Sequence, residues 1–105
     1  MNKRVMISQP MAGKTDEEIF GVRDRVAAKL REIGYEVADT VFDFTDEQMR
    51  ALGVKNAALY YLSNSIQAMS RCDCMYFVKG WKNARGCKIE HDIATAYGLE
   101  VLYED

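Results

Sequence analysis

"RVMISQPMAGKTDEEIFGVRDRVAAKLREIG", residues 4–34, decides the fold. It opens on a short apolar run, Arg4–Ser8, that reads as a β-strand, and passes through a loop into a helix. The helix start is written in Thr15-Asp16-Glu17-Glu18, where a threonine N-cap followed three residues on by glutamate makes a capping box. Apolar residues then recur at Ile19, Val22, Val26, Leu30 and Ile33, one face of a helix, and Gly34 supplies the stop. The loop between them ends in Gly13-Lys14-Thr15, the close of a Walker A motif. That motif, G-x-x-x-x-G-K-[ST], needs its first glycine where Ser8 stands, and Pro10 removes a backbone N–H the phosphates would require. The stretch is therefore read as a strand, a turn at Gly13 and a capped helix, with Ser8–Lys14 forming the wall of a cleft.

The rest of the chain repeats this alternation. Tyr35–Val41 reads as a second strand, and residues 42–56 as a loop holding a short helix around Asp46–Leu52. Leu59, Leu62, Ile66 and Met69 mark another helix, and Cys74–Val78 a buried strand. Lys79–Gly86 is a loop, Cys87–Tyr97 a helix ended by Gly98, and Glu100–Tyr103 the last strand. Strands alternating with helices predict an α/β fold: a small doubly wound, flavodoxin-like or Rossmann-like parallel sheet of about four strands. The expected strand order is 2-1-3-4, with helices on both faces. Ligands in such sheets bind beyond the carboxyl ends of the strands where the order reverses, here between the first and third. Ser8–Lys14 and Lys79–Glu90 line that point.

Composition bounds the function. The 105 residues make one domain, residues 1–105, with 49% hydrophobic and 29% charged residues, the balance of a globular protein with a real core. A net charge of −2 and the lack of a basic run argue against a duplex nucleic acid partner. No apolar stretch approaches the roughly 20 residues of a membrane helix, and the N-terminal apolar run is too short for a signal peptide. The odd set Cys72, Cys74 and Cys87 fits no paired zinc spacing, and His91 is the single histidine, so no metal is expected. Three reduced thiols fit a cytoplasmic location.

The second loop, "GWKNARGCKIEHD", residues 80–92, carries the richest chemistry. Gly80, Trp81, Asn83, Arg85 and Gly86 precede a helix whose first amides favour an anion, and Trp81 offers a face to a base or sugar. Glu90 lies about one turn into that helix, where the dipole would keep its carboxylate ionised. The same residues also describe a well-capped helix with a solvated glutamate and a tryptophan filling the sheet edge. Arg85 suits bidentate anion binding or a salt bridge to a nearby acid. Asp73 suits a sugar hydroxyl or a turn into the third strand. Lys14 reaches toward a 5′-phosphate or toward solvent, and Gln9 faces the same cleft. Cys87 and His91 share a helix face at i,i+4 but lack an evident oxyanion site. Cys72 and Cys74 read as core filling.

"MISQPMAGK", "CDCMYFVKGWKNARGCKIEHDIATAYGLEVLYE" and the helices between them resemble a bacterial and phage branch of the nucleoside 2-deoxyribosyltransferase superfamily, described as domain of unknown function 4406. The resemblance covers nearly the whole chain. It implies deoxyribosyl transfer or nucleotide N-glycosidase chemistry, in which Glu90, preceded by Gly86, attacks the anomeric carbon and water or a second base resolves the glycosyl-enzyme. It implies a nucleoside or nucleotide substrate held by Ser8, Gln9, Gly13, Lys14, Asp73, Gly80, Trp81, Asn83, Arg85 and Gly86. No metal or organic cofactor is implied, and a homo-oligomer whose clefts are completed by a neighbour is. Two positions depart from the pattern. Met6 stands where relatives orient the nucleophile with a tyrosine, and Ser65, beside Asn64, stands where they hold the acid that protonates the leaving base. Asp43, Asp46 and Asp92 are the carboxylates left to supply that acid. The rival expectation is a nucleotide-binding protein that uses the same cleft without catalysis.

Overall fold

The structure, a computed structural model, describes residues 2–39 and 44–104. Its sheet has four strands, all parallel: β1 (Arg4–Ser8), β2 (Glu36–Val37), β3 (Cys74–Phe77) and β4 (Glu100–Tyr103), in the order β2-β1-β3-β4. The expected α/β architecture and strand order are both present. β1 and β3 form the centre, with Ser8 opposite Phe77, and Phe77 opposite Tyr103 in the next strand. Among the described residues four α-helices accompany the sheet: α1 (Asp16–Glu32), α2 (Asp46–Ala51), α3 (Ala57–Met69) and α4 (Arg85–Ala96).

Strand periodicity sorts the core into two layers. Val5, Ile7, Cys74, Tyr76 and Val78 face α1 and pack on its Val26, Ala27 and Leu30. Met6, Met75 and Phe77 face the other way, against Met69 of α3 and Ala94 of α4. Ser8 shares the side of Met6, so it points toward α3 and α4. Both faces of the sheet are therefore covered, as an all-parallel sheet requires.

Local signals hold closely. Thr15 caps α1 with the full box, its hydroxyl accepting from Glu18 N and the Glu18 carboxylate accepting from Thr15 N. Gly34 takes φ 103° just beyond the α1 C-cap, a conformation that side chains with a Cβ rarely adopt. Two boundaries differ from the sequence reading. β2 has two residues, and the expected extension over 40–41 lies outside the described residues, as does Asp43. The loop after β3 is shorter than expected: Trp81–Asn83 forms a 3-10 turn and α4 starts at Arg85. Arg85 and Gly86 thus belong to the first turn of the helix.

The carboxyl end of the sheet is tied down by Glu104. Its carboxylate accepts from Lys79 N at 2.8 Å and from Arg25 Nη1 at 2.9 Å, which holds its pKa below the ordinary value of 4.5. A depressed folded pKa means stability present above the unfolded pKa and lost as pH falls through the folded one. Glu104→Gln is expected to lower stability at neutral pH by about 1–2 kcal/mol in urea melts, with the difference fading in acid. An undiminished difference at low pH would show that the loss does not come from the ionised carboxylate.

Candidate functional site

Ser8 ends β1 and Glu90 sits in the second turn of α4, and the two meet inside the protein. Ser8 Oγ donates to Glu90 Oε1 at 2.6 Å, with Ser8 2% and Glu90 9% exposed. The Ser65 hydroxyl, from α3, supports the same carboxylate, and the Cys87 thiol, one turn back on α4, contacts Ser8. β1, α3 and α4 therefore deliver two hydroxyls, a thiol and one carboxyl to a single point beside the carboxyl ends of β1 and β3.

The electrostatics differ from the sequence expectation. Burial raises the Glu90 pKa above its ordinary 4.5, opposed by hydrogen bonds from Ser8 and Ser65. The shift runs against the expected pull of the α4 dipole: Glu90 lies beyond the first turn, where the dipole fades, and desolvation is the largest cause. Burial also pushes the Cys87 thiol up to about 11, so it stays protonated. His91 turns away to Tyr103, its Nε2 lying 2.6 Å from the hydroxyl, and it stacks on Trp81, so no Cys87–His91 pair forms.

The two loops come together: a Cβ built on Gly80 would lie 3.6 Å from Pro10 Cγ. Other expected site residues divide by place. Gln9 is buried, its amide donating to Ile19 O at 3.0 Å, so it anchors α1 rather than facing an open cleft. Gly13 and Lys14 lie on the exposed turn closed by Lys14 N to Met11 O. Asn83, Arg85 and Gly86 are exposed at the start of α4, whose N-cap Ala84 supplies no side-chain hydrogen bond. Asp73 stands at the amino end of β3, accepting from Arg4 N at 2.8 Å, four residues of strand away from the Ser8–Glu90 end. It anchors the turn into β3, and the strand's length keeps it from the site.

Trp81 stacks on His91, the residue after Glu90. Neighbours on a helix point about 100° apart, so Glu90 faces β1 and α3 while His91 faces β4, and Trp81 goes with His91. Two members of the Glu90 cluster were not legible as such. Cys87 has no sequence signal beyond lying three residues before Glu90. Ser65 was visible only as the place of an expected acid, and its position against Glu90 shows that α3 does reach the site.

Residues 3–103 match the family described as Domain of unknown function (DUF4406), and the chain belongs to that family. No curated protein matches it. Among the described residues no helix is long and apolar enough to cross a membrane, and no group of three or more His, Cys, Asp or Glu side chains is placed to hold a metal ion.

A carboxyl whose folded pKa is raised costs stability as it ionises, so its burial is best tolerated below 4.5 and penalised as pH rises through the folded pKa. Glu90→Gln is expected to raise Tm at neutral pH, with the gain shrinking as pH falls toward 4.5. An equal or lower Tm at neutral pH would contradict a net cost of burying this carboxyl.

Proposed function

We propose that the protein cleaves or transfers at the N-glycosidic bond of a nucleoside or nucleotide, with Glu90 as the nucleophile. The observation that carries this reading is a buried carboxyl at the carboxyl end of β1, oriented by Ser8 at 2.6 Å and lacking an ion-pair partner among the described residues. Such a group, ionised beside an oxocarbenium-like centre, gains most from the charge that develops there. Ser8 takes the orienting part that Met6, packed into the core with Met69 and Met75, leaves open. The exposed Arg85 and the free amides of the first α4 turn suit a substrate phosphate. The likeness to the nucleoside 2-deoxyribosyltransferase superfamily supports the same chemistry, without metal or organic cofactor.

Ser65 favours a second reading. A serine against Glu90 supplies no proton comparable to a carboxylic acid, so leaving-base protonation falls to solvent or to Asp46 or Asp92. Binding of a nucleotide without turnover is the alternative. A second copy packing over the α3–α4 seam is part of either reading, supported by exposed Leu59 (61%) and Ile66 (41%) on α3 and Ile89 (37%) on α4. Three free thiols support a reducing, cytoplasmic setting.

The test is free-base release from a panel of ribo- and deoxynucleosides and their 5′-monophosphates, with and without an acceptor base. Release is expected with at least one member, falling by roughly 10³-fold or more in Glu90→Gln. Activity that survives this change removes Glu90 from the nucleophile role. Thermal stabilisation by a panel member without any base release selects the binding reading. Ser8→Ala removes a hydrogen bond that favours the carboxylate, so the acid limb of the rate profile is expected to move to higher pH. An unmoved limb would separate Ser8 from the ionisation of Glu90.

A further inference from the structure

A cavity whose lining does not include Glu90 lies on the β4 side of α4. It has a volume of about 410 Å³ and is lined by Phe77, Lys79, Trp81, Lys82, His91, Tyr103 and Glu104. Register builds it: Phe77 and Tyr103 are partners across β3 and β4, and α4 lays His91 over them one residue beyond Glu90. Trp81 forms a loose stack with two of the other lining rings, and Phe77 meets His91 edge-on at 70°. Trp81 and His91 stack at 4.2 Å and 24°, and Trp81 and Tyr103 are inclined by 28° with centroids 5.7 Å apart. The Tyr103 hydroxyl lies 2.6 Å from His91 Nε2 and fixes the imidazole in this stack.

Two lysines and one carboxylate, Glu104, contribute the charge at this cavity. Neither Lys79 nor Lys82 has an ion-pair partner among the described residues, and Lys82 Nζ lies 5.9 Å from the Trp81 centroid. Glu104 is already engaged by Arg25 and by the Lys79 amide. The volume falls within the roughly 300–1,000 Å³ of small-molecule pockets, and a ring platform beside unpaired ammonium groups is complementary to a flat ring bearing negative charge.

We propose that this aromatic cavity is a second binding site, distinct from Glu90, for a planar aromatic anion: a ring that continues the Trp81–His91–Tyr103 stack and a phosphate or carboxylate that meets Lys79 and Lys82. The site does not depend on the chemistry assigned to Glu90. A nucleoside monophosphate and an aromatic carboxylate share the required features, and the probes below distinguish them.

Trp81 is the single tryptophan of the chain, so its emission reports on this cavity alone. The intact protein is titrated separately with adenosine 5′-monophosphate, adenosine, 2-naphthoate and inorganic phosphate. Saturable quenching is expected with the monophosphate, the naphthoate or both, at least about tenfold weaker with adenosine, and absent with phosphate. Quenching by one anion alone identifies which source the site prefers. Lys79→Ala/Lys82→Ala, on exposed positions, is expected to weaken the anion roughly tenfold while leaving the far-ultraviolet circular dichroism unchanged, and Glu90→Gln is expected to leave the titration unaltered. No saturable change with either anion, equal affinity for adenosine, or an unweakened lysine variant overturns the proposal. Loss of the signal in Glu90→Gln overturns the separation of the two sites.

Discussion

Keeping a carboxyl group under two helices is the constraint around which this small domain is arranged. Glu90 is 9% exposed, and its support comes from hydroxyls rather than a cation: Ser8 at 2.6 Å from β1, and Ser65 from α3. Each donor belongs to a different element, so the carboxyl is solvated only when the central strand and both helices are in place. The all-parallel order β2-β1-β3-β4 meets that requirement by putting the end of β1 at the centre of the sheet and crossing α3 and α4 over the same face. A buried carboxyl held by hydroxyls and not by a cation is a poor stabiliser and a well-prepared reactive group.

Most of the fold was legible, because each element carried its own punctuation. The capping box at Thr15, the stop at Gly34 and the apolar period between them mark α1 without reference to anything distant. The order of strands followed from parallel connections. β2 was harder: only Glu36–Val37 pair with β1, and apolar composition over 35–41 does not say where ladder pairing ends. The start of α4 was missed because Arg85-Gly86 reads as loop, although Ala84 already turns the chain into the helix.

The site was legible in its residue types and less so in its geometry. Glu90 and Ser8 were both singled out, but their direct bond depends on strand parity and helix phase acting together across 82 positions of sequence. Trp81 and Glu90, close in the chain, diverge because adjacent helix faces diverge and Trp81 follows His91 toward β4. Asp73 and Ser8 flank opposite ends of two parallel strands, a separation that composition cannot display. The direction of the Glu90 pKa shift was hidden for a similar reason. The helix dipole is visible in sequence, whereas desolvation is a property of the packed interior.

The most direct measurement is a carboxyl-carbon NMR titration of Glu90 in the intact protein, assigned by its loss in Glu90→Gln. The expected result is a midpoint above 4.5 that climbs further in Ser8→Ala, as removal of a donor to a buried carboxylate requires. A midpoint at or below 4.5, or one indifferent to Ser8, would contradict a carboxyl held in the interior by that hydroxyl.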